Sequence, residues 1–174
     1  PGSHVGAGED AGIMRIAKSI DEAHHACKGF KTKLVLEITA GQGSNLGCTF
    51  EQMARIVDAV KQNDRIRICF DTEHAFAAGY DISTAEGYER TFAEFDKHLG
   101  VKNIAAFHLN DSLKPLGSRV DRHEHIGKGH LGVETFRRII HDKRFFGIPM
   151  CLETDPGPDM KDIAADLAKL KSLL

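Results

Sequence analysis

Residues 65–74 read RIRICFDTEH, an apolar run that ends in Asp71 and is followed three residues later by a histidine. Three further runs have the same character: LVLEI (34–38), IAAFHLN (104–110) and IPMCLE (148–153). They are apolar throughout rather than alternating, which is typical of parallel strands covered on both faces. The four runs therefore predict a parallel sheet whose strands carry acidic residues or histidines at their ends.

Amphipathic helices are predicted between these strands, because apolar residues recur at three-and-four spacing. Thr49, with Gln52 three residues later, and Ser83 or Thr84 have the character of N-caps. The segments 40–47, 72–84 and 111–132 are expected to be loops. The predicted helices cover, in chain order, residues 11–28, 50–62, 84–98, 133–141 and 159–174.

This order, a helix followed by four βα units, predicts an α/β fold. Four units make either half of an eight-fold barrel or a small open sheet. No GxGxxG follows the first strand, which argues against a dinucleotide-binding fold.

Length and charge restrict the function further. A chain of 174 residues with 41% hydrophobic residues is ordinarily one domain with an adequate core. The formal charge of −2 excludes a strongly basic nucleic-acid-binding surface in the bare protein. Bound divalent cations would reverse the local field, so nucleic acid stays open as a ligand.

The four cysteines are scattered singly, and no disulfide framework is expected. Cys69 and Cys151 lie in apolar strand runs, where we expect buried free thiols. No apolar run approaches the roughly 18 residues of a membrane span, and we expect no signal peptide. We expect a soluble protein of a reducing compartment. The chain opens at Pro1 rather than methionine and looks like a fragment.

Seven potential metal ligands fall at the strand ends or in the loop after the third strand. Carboxylates and imidazoles at successive strand ends would point into one mouth of a barrel. A set of oxygen and nitrogen ligands without cysteine suits catalytic zinc or manganese. Each residue alone also has a structural interpretation, such as a salt-bridged glutamate, a helix-capping aspartate or a core histidine. The seven are Glu37, Asp71, His74, His108, Asp121, His123 and Glu153.

The loop string GSRVDRHEH (117–125) places Asp121 and His123 two residues apart, so that an extended loop projects both to one side. Ser118, Arg119 and Arg122 would suit phosphate contacts. The alternative is a solvated charged loop. The other histidines considered are expected on the surface: His24, His25, His98, His130 and His141.

Five motifs follow one another along the chain: LEITAGQGSNLG (36–47), FDTEHAFAAGYD (70–81), FHLNDS (107–112), GSRVDRHEHIGKG (117–129) and IPMCLET (148–154). Together they resemble, in order and spacing, the signatures of the endonuclease IV family of abasic-site DNA endonucleases. The similarity extends over essentially the whole chain, including the opening PGSH. It implies a (β/α)8 TIM barrel of which this chain covers about the last four βα units, as the carboxyl-terminal part of a single domain (1–174).

The resemblance also implies an activity, a metal centre and a partner. The family hydrolyses the phosphodiester 5′ to abasic sites in double-stranded DNA during base excision repair, with up to three zinc ions; manganese is an alternative. The resemblance implies that Glu37 bridges the first and second zinc. It also implies that Glu37 and Glu153 serve catalysis, and that Glu153 orients or deprotonates the nucleophile. By motif, the second zinc takes Asp71, His108 and Glu153, and the third takes His74, Asp121 and His123.

The chain departs from the family pattern at several points. The family's first zinc also takes two histidines that would precede Pro1, and its early DNA-inserting loops would precede Pro1 too. We therefore expect the isolated chain to bind at most two metals well and to be poorly active or inactive on abasic DNA. Ile38 stands where the family usually has a polar residue, and Glu73 where it often has a small one. Glu73 would weaken or retune metal selectivity.

Two other functions stay open from the sequence: a TIM-barrel sugar isomerase or epimerase, and a non-catalytic fragment that binds damaged DNA. We expect no membrane partner and a monomeric full-length enzyme. The fragment would self-associate through its exposed sheet edges. The expected location is cytoplasmic or nucleoid-associated in a bacterium, and nuclear or mitochondrial in a eukaryote.

Overall fold

Helices and strands alternate along the computed structural model, which describes all residues 1–174. Four short 3-10 helices lie between them. In chain order the elements are β1 (Gly2–Ser3), α1 (Glu9–Ala26), β2 (Leu34–Glu37), β3 (Asn45–Leu46), α2 (Phe50–Ala59), β4 (Ile66–Asp71), α3 (Thr72–Ala78), α4 (Ala85–Leu99), β5 (Ile104–His108), β6 (Asp111–Ser112), β7 (His123–Glu124), α5 (Val133–His141), β8 (Met150–Cys151) and α6 (Lys161–Lys171).

The central sheet is parallel and has the order β2-β4-β5-β8. This order follows the chain without reversal. Since parallel crossovers are right-handed, successive connections lie on the same face of the sheet. A doubly wound sheet would reverse its direction and carry helices on both faces. The observed topology is that of four consecutive βα units of a barrel, as the sequence predicts.

An aromatic core joins the sheet to its helices. The ring of Phe70 on β4 lies 4.9 Å from that of Phe92 on α4, and the ring of Phe107 on β5 lies 4.7 Å from that of Phe145. All four rings are almost completely buried. Because neighbouring residues on a strand point to opposite faces, the residues that follow Phe70 and Phe107 point away from the helices. The fold thereby directs polar strand ends toward the other face.

The segment 72–84 is not entirely a loop, because Thr72–Ala78 forms α3. The side chain of Asp71 accepts a hydrogen bond from the backbone N–H of His74 at 2.9 Å and so caps this helix. Gly79 ends the helix in the left-handed conformation at φ 112°. The predicted loop 111–132 also contains structure: β6 and β7 pair as an antiparallel hairpin.

The helix caps agree with the sequence in two cases. The side chain of Thr49 accepts from Gln52 N, and that of Thr84 accepts from Gly87 N. The final helix begins at Lys161 rather than Asp159, because a 3-10 turn with Asp159 and Met160 at positive φ precedes it.

Three burial predictions have mixed outcomes. Cys69 is buried, as expected, but Cys151 is exposed. Cys151 lies on β8, which pairs only with β5 and has an open edge. His24 is buried within α1 at 5% exposure and is not a surface residue.

No helix combines the length and apolar character that crossing a membrane requires.

Candidate metal centre

Strand register brings four predicted ligands to one edge of the sheet. Asp71 pairs with His108 across β4 and β5, and His108 pairs in turn with Cys151 on β8. Glu37 is the last residue of β2, opposite Cys69 on β4. Glu153 follows β8 by two residues. Parallel strands carry their carboxyl ends to the same edge, so these side chains meet there.

Glu37, Asp71, His108 and Glu153 form what we term the strand-end group. One potential ligand atom from each lies within 4.8 Å of all the others. His108 Nδ1 is their common centre, 3.0 Å from Glu37 Oε1, 2.9 Å from Glu153 Oε2 and 3.7 Å from Asp71 Oδ2. Three carboxylates therefore surround a single imidazole nitrogen.

His74, Asp121 and His123 form a second set, the loop group. His74 comes from α3, and the other two lie in and just before β7. His74 Nε2 is 3.3 Å from Asp121 Oδ2, and His123 Nε2 is 3.7 Å from Asp121 Oδ1. The two imidazole rings are 5.4 Å apart, centroid to centroid. The structure thus brings all seven sequence-predicted residues into two adjacent groups.

The orientation of His74 is fixed through its other nitrogen. His74 Nδ1 lies 2.8 Å from the carbonyl oxygen of Ile38 and 3.2 Å from Glu37 Oε1. With a proton on Nδ1, His74 donates to Ile38 O, and Nε2 faces Asp121. This is the arrangement that positions metal-binding histidines in many proteins. Nε2 is then the nitrogen available to a metal ion, and in the metal-free protein the raised pKa of His74 keeps a proton on it.

Charge coupling links Glu37 to both groups. Burial alone would raise the pKa of Glu37, but hydrogen bonds from His108 and His74 hold it at about 2. Burial likewise opposes the charged form of His74, yet the hydrogen bond to Glu37 and the charge of Asp71 raise its pKa to about 10. Interactions with Cys69 and Glu37 raise the pKa of His108 to about 11. Without a metal, protons balance the negative charge of this cluster.

Two buried carboxyl groups, those of Asp71 and Glu73, have raised pKa values, in contrast to Glu37. Asp71 and Glu73 are both 0% exposed. Burial raises the pKa of Asp71, although the neighbouring His74 opposes that shift. Burial also raises the pKa of Glu73, against a hydrogen bond from the backbone N–H of Arg122. Both carboxyl groups would be more easily ionised beside a cation.

Asn110 is a part of the site that the sequence interpretation missed. Its Nδ2 donates to Asp71 Oδ2 at 2.7 Å, and its Oδ1 accepts from the backbone N–H of Glu153 at 2.9 Å. The residue is 0% exposed. The available signal was an amide two residues after the strand that ends in His108, since a buried amide needs partners for both ends.

The residues predicted to contact phosphate lie in the same loop as Asp121. Arg119 and Arg122 are exposed, and Ser118 is half-buried. The backbone of this loop is tied to the end of α3, because Arg119 N donates to Ala77 O at 2.9 Å. Asp121 N donates to Gln42 Oε1 of the glycine-rich loop at 2.9 Å. These contacts place Arg119 and Arg122 beside the loop group, and no acidic side chain hydrogen-bonds to either guanidinium group.

The donor set fits divalent cations. His123 Nε2 is buried and has no hydrogen-bond partner, although buried ring nitrogens ordinarily have one. The ligands are carboxylate oxygens and imidazole nitrogens, which suit zinc or manganese. Closely spaced carboxylates of this kind are costly without protons or a cation between them.

Comparisons with known proteins agree with this geometry. The family model described as "Xylose isomerase-like TIM barrel" matches residues 1–173. The chain belongs to this family. It is 50% identical over all 174 residues to "Probable endonuclease 4" of Chloroflexus aurantiacus, covering 61% of that protein, and 50% identical to the Geobacter sulfurreducens protein of the same name, covering 59%. The resemblance to the carboxyl-terminal part of the endonuclease IV family is confirmed.

Solved structures support the fold. Endonuclease IV from Thermus thermophilus superposes with a TM-score of 0.78 at 34% identity, over 92% of this chain and 57% of that chain. The structure of AsfvAP:AG superposes with a TM-score of 0.62 at 22% identity, over 90% of this chain and 67% of that chain. The chain therefore spans about three fifths of the length of its curated relatives and forms part of a TIM barrel.

Proposed function

We propose that the chain is the carboxyl-terminal part of a single TIM-barrel domain that hydrolyses DNA phosphodiesters 5′ to abasic sites, with zinc or manganese as cofactor. The observation that carries the proposal is the position of Glu37. Its Oε1 lies 3.0 Å from His108 Nδ1 and 3.2 Å from His74 Nδ1, so one carboxylate joins the strand-end group to the loop group. Adjacent cation sites of this kind are the usual equipment for phosphodiester hydrolysis.

The seven grouped residues would hold the metal ions. The strand-end group would hold one ion and the loop group another, and Glu37 would help to hold a further ion. Zinc bound there would generate a nucleophile from water at neutral pH and would neutralise charge on the phosphodiester. His74 and His108, whose pKa values are raised, must each lose a proton before they can serve as ligands.

Glu153 is the best-placed residue to orient or deprotonate the attacking water. Its side chain is 42% exposed, the most open of the strand-end group, while its backbone N–H is held by Asn110. Glu37 is partly exposed at 33% and faces the same opening. Glu153 therefore combines access to substrate with a backbone held in place, as a residue that orients or deprotonates water requires. Glu37, whose pKa is lowered to about 2, would serve catalysis as an ionised metal ligand.

The substrate would be double-stranded DNA that contains an abasic site. With a formal charge of −2, the chain attracts a polyanion only where cations or local basic groups dominate. Bound metal ions would supply that attraction at the strand ends. Arg119 and Arg122, with Ser118, would bind flanking phosphates. In a bacterium, such a protein would be cytoplasmic or associated with the nucleoid.

The test is a chimaera in which this chain replaces the matching carboxyl-terminal portion of the Chloroflexus aurantiacus relative. The substrate is a duplex oligonucleotide with one tetrahydrofuran abasic analogue. We expect zinc-dependent incision 5′ to the analogue that leaves a 3′-hydroxyl, and loss of incision on Glu153→Gln. A chimaera that folds and binds metal but never incises this duplex would refute the proposal.

Experiments on the isolated chain and on the chimaera distinguish the proposed activity from a sugar isomerase or epimerase and from a non-catalytic DNA-binding fragment. We propose that the isolated chain binds metal, incises abasic DNA weakly, and self-associates through the open edges of β2 and β8. Aldose–ketose interconversion without incision would favour a sugar isomerase instead. Tight, damage-selective DNA binding in a chimaera that does not turn over would favour a non-catalytic binding fragment.

A further inference from the structure

Glu73 is a buried carboxyl group whose two oxygens have different environments. Oε1 accepts hydrogen bonds from Ser112 Oγ at 3.2 Å and from the backbone N–H of Arg122 at 3.3 Å. Oε2 is also buried and has no partner. A buried carboxylate oxygen without a hydrogen-bond donor is unusual, because it loses its solvation without compensation.

A second unpartnered atom lies in the same cluster. One potential ligand atom each from Asp71, Glu73, His74 and His123 lies within 4.8 Å of all the others. His123 Nε2, like Glu73 Oε2, is buried without a partner. An unpaired carboxylate oxygen and an unpaired imidazole nitrogen both offer lone pairs, and neither can satisfy the other unless one carries a proton. A shared cation satisfies both at once.

We propose that Glu73 is an additional ligand of the loop-group cation, on the side of His74 and His123, the two loop-group residues that each have a ligand atom within 4.8 Å of one of its own. The inference rests on the metal centre proposed above and deepens it. With Glu73, the loop group offers two carboxylates and two imidazoles rather than one carboxylate and two imidazoles. The added negative charge favours tight binding of the divalent cation and shifts preference toward oxygen-seeking metals such as manganese.

The alternative is that Glu73 only anchors the 111–132 segment, since its Oε1 accepts hydrogen bonds from Ser112 Oγ and Arg122 N. Glu73→Gln separates the two roles. Its amide oxygen can keep both hydrogen bonds of Oε1, while its amide nitrogen cannot coordinate a metal. Glu134→Gln is the matched control, because Glu134 is an exposed residue on α5 whose side chain pairs with Arg137.

The experiment measures Zn²⁺ and Mn²⁺ affinity by competition with a chromophoric chelator, and the visible spectrum of bound Co²⁺. It uses the 174-residue chain. We expect Glu73→Gln to lower the affinity of one site at least about tenfold and to change the Co²⁺ spectrum, and Glu134→Gln to change neither. Adding Glu73→Gln to His123→Gln should weaken binding little further, because both residues act on one ion.

Unchanged affinity and spectrum in Glu73→Gln, with a clear loss in His123→Gln, would overturn the inference and leave the proposed metal centre standing. No difference among wild type, Glu73→Gln and His123→Gln would overturn the inference together with the loop-group cation. Glu73→Ala gives the same comparison without a buried amide, should Glu73→Gln not fold.

Discussion

Asn110 holds Asp71 in place: Asn110 Nδ2 donates to Asp71 Oδ2 at 2.7 Å inside the protein. The other Asp71 oxygen accepts from His74 N, so both carboxylate oxygens already have a fixed direction before any cation binds. The same amide holds the backbone of Glu153. A single side chain therefore sets the spacing between the ends of β4 and β8.

Asn110→Ala should lower the affinity of the strand-end group for Zn²⁺ about 10- to 100-fold, because groups that orient metal ligands typically contribute that much. Asn63→Ala is the control, since Asn63 is exposed in a short 3-10 helix before the amino end of β4, whereas the ligands lie at the carboxyl ends of the strands. Chelator competition gives the affinities. Equal Zn²⁺ affinity in Asn110→Ala and wild type would show that Asp71 needs no such support.

The metal-free protein should lose stability as pH rises above neutrality. The pKa values of His74 and His108 are raised from 6.5 to about 10 and about 11. Groups with a raised folded-state pKa contribute stability that is fully present below about pH 6.5 and is lost as pH rises through the folded values. In a chelating buffer, Tm should therefore decline steadily between about pH 6.5 and 11.

Glu37→Gln tests the origin of that dependence, because Glu37 hydrogen-bonds to both imidazoles. In the variant, the pKa values of His74 and His108 should move toward 6.5, and Tm should decline less steeply. The pKa values are measured by NMR titration of the histidine ring protons. At the acid end the sign reverses. The contribution of Glu37 is present above its ordinary pKa of 4.5 and is lost as pH falls toward about 2.

Arg122→Ala should weaken DNA binding nearly equally for all duplex sequences and reduce the slope of log K against log salt by about 1, as loss of one phosphate contact does. Binding is measured with metal-loaded protein over a range of salt concentrations. Arg90→Ala, on the exposed side of α4, serves as the control. A salt slope that is unchanged in Arg122→Ala would remove Arg122 from the phosphate contacts.

Phe70→Ala should lower the free energy of unfolding by about 3–5 kcal/mol, the usual cost of removing a buried aromatic ring. Phe70 is 0% exposed and packs against rings of both α2 and α4. Phe146→Ala is the matched control, because Phe146 is 65% exposed. Urea denaturation measures both. Similar losses in the two variants would mean that the aromatic layer is not the main support of β4.

Much of the fold could be predicted from the sequence, because strand patterning is local. The four apolar runs became the four strands of the parallel sheet, and the Thr49 and Thr84 caps formed as expected. Prediction failed where tertiary packing overrode local signals. Residues 72–78 look like a loop after a strand, yet capping by Asp71 and burial on both sides make them a helix.

The metal centre, too, could be predicted only in part. The seven potential ligands were identifiable from residue type and position, and the structure groups all seven. Their assignment to particular ions stays a prediction. The sequence offered a signal for Asn110 as a buried amide, but not its partners, because these depend on which atoms face the two ends of the amide. Glu73 was noticed as a departure, but its unpartnered oxygen is visible only in three dimensions.

The sequence by itself determined the order of strands and helices and the presence of oxygen and nitrogen ligands at the strand ends, since both follow from patterns within a few residues. Only the tertiary structure decided which ligands share a site. Register between β4 and β5 sets Asp71 beside His108, and the loop that follows β6 returns to set Asp121 beside His74. Both contacts join residues that are far apart in the chain, and no local pattern encodes such pairings.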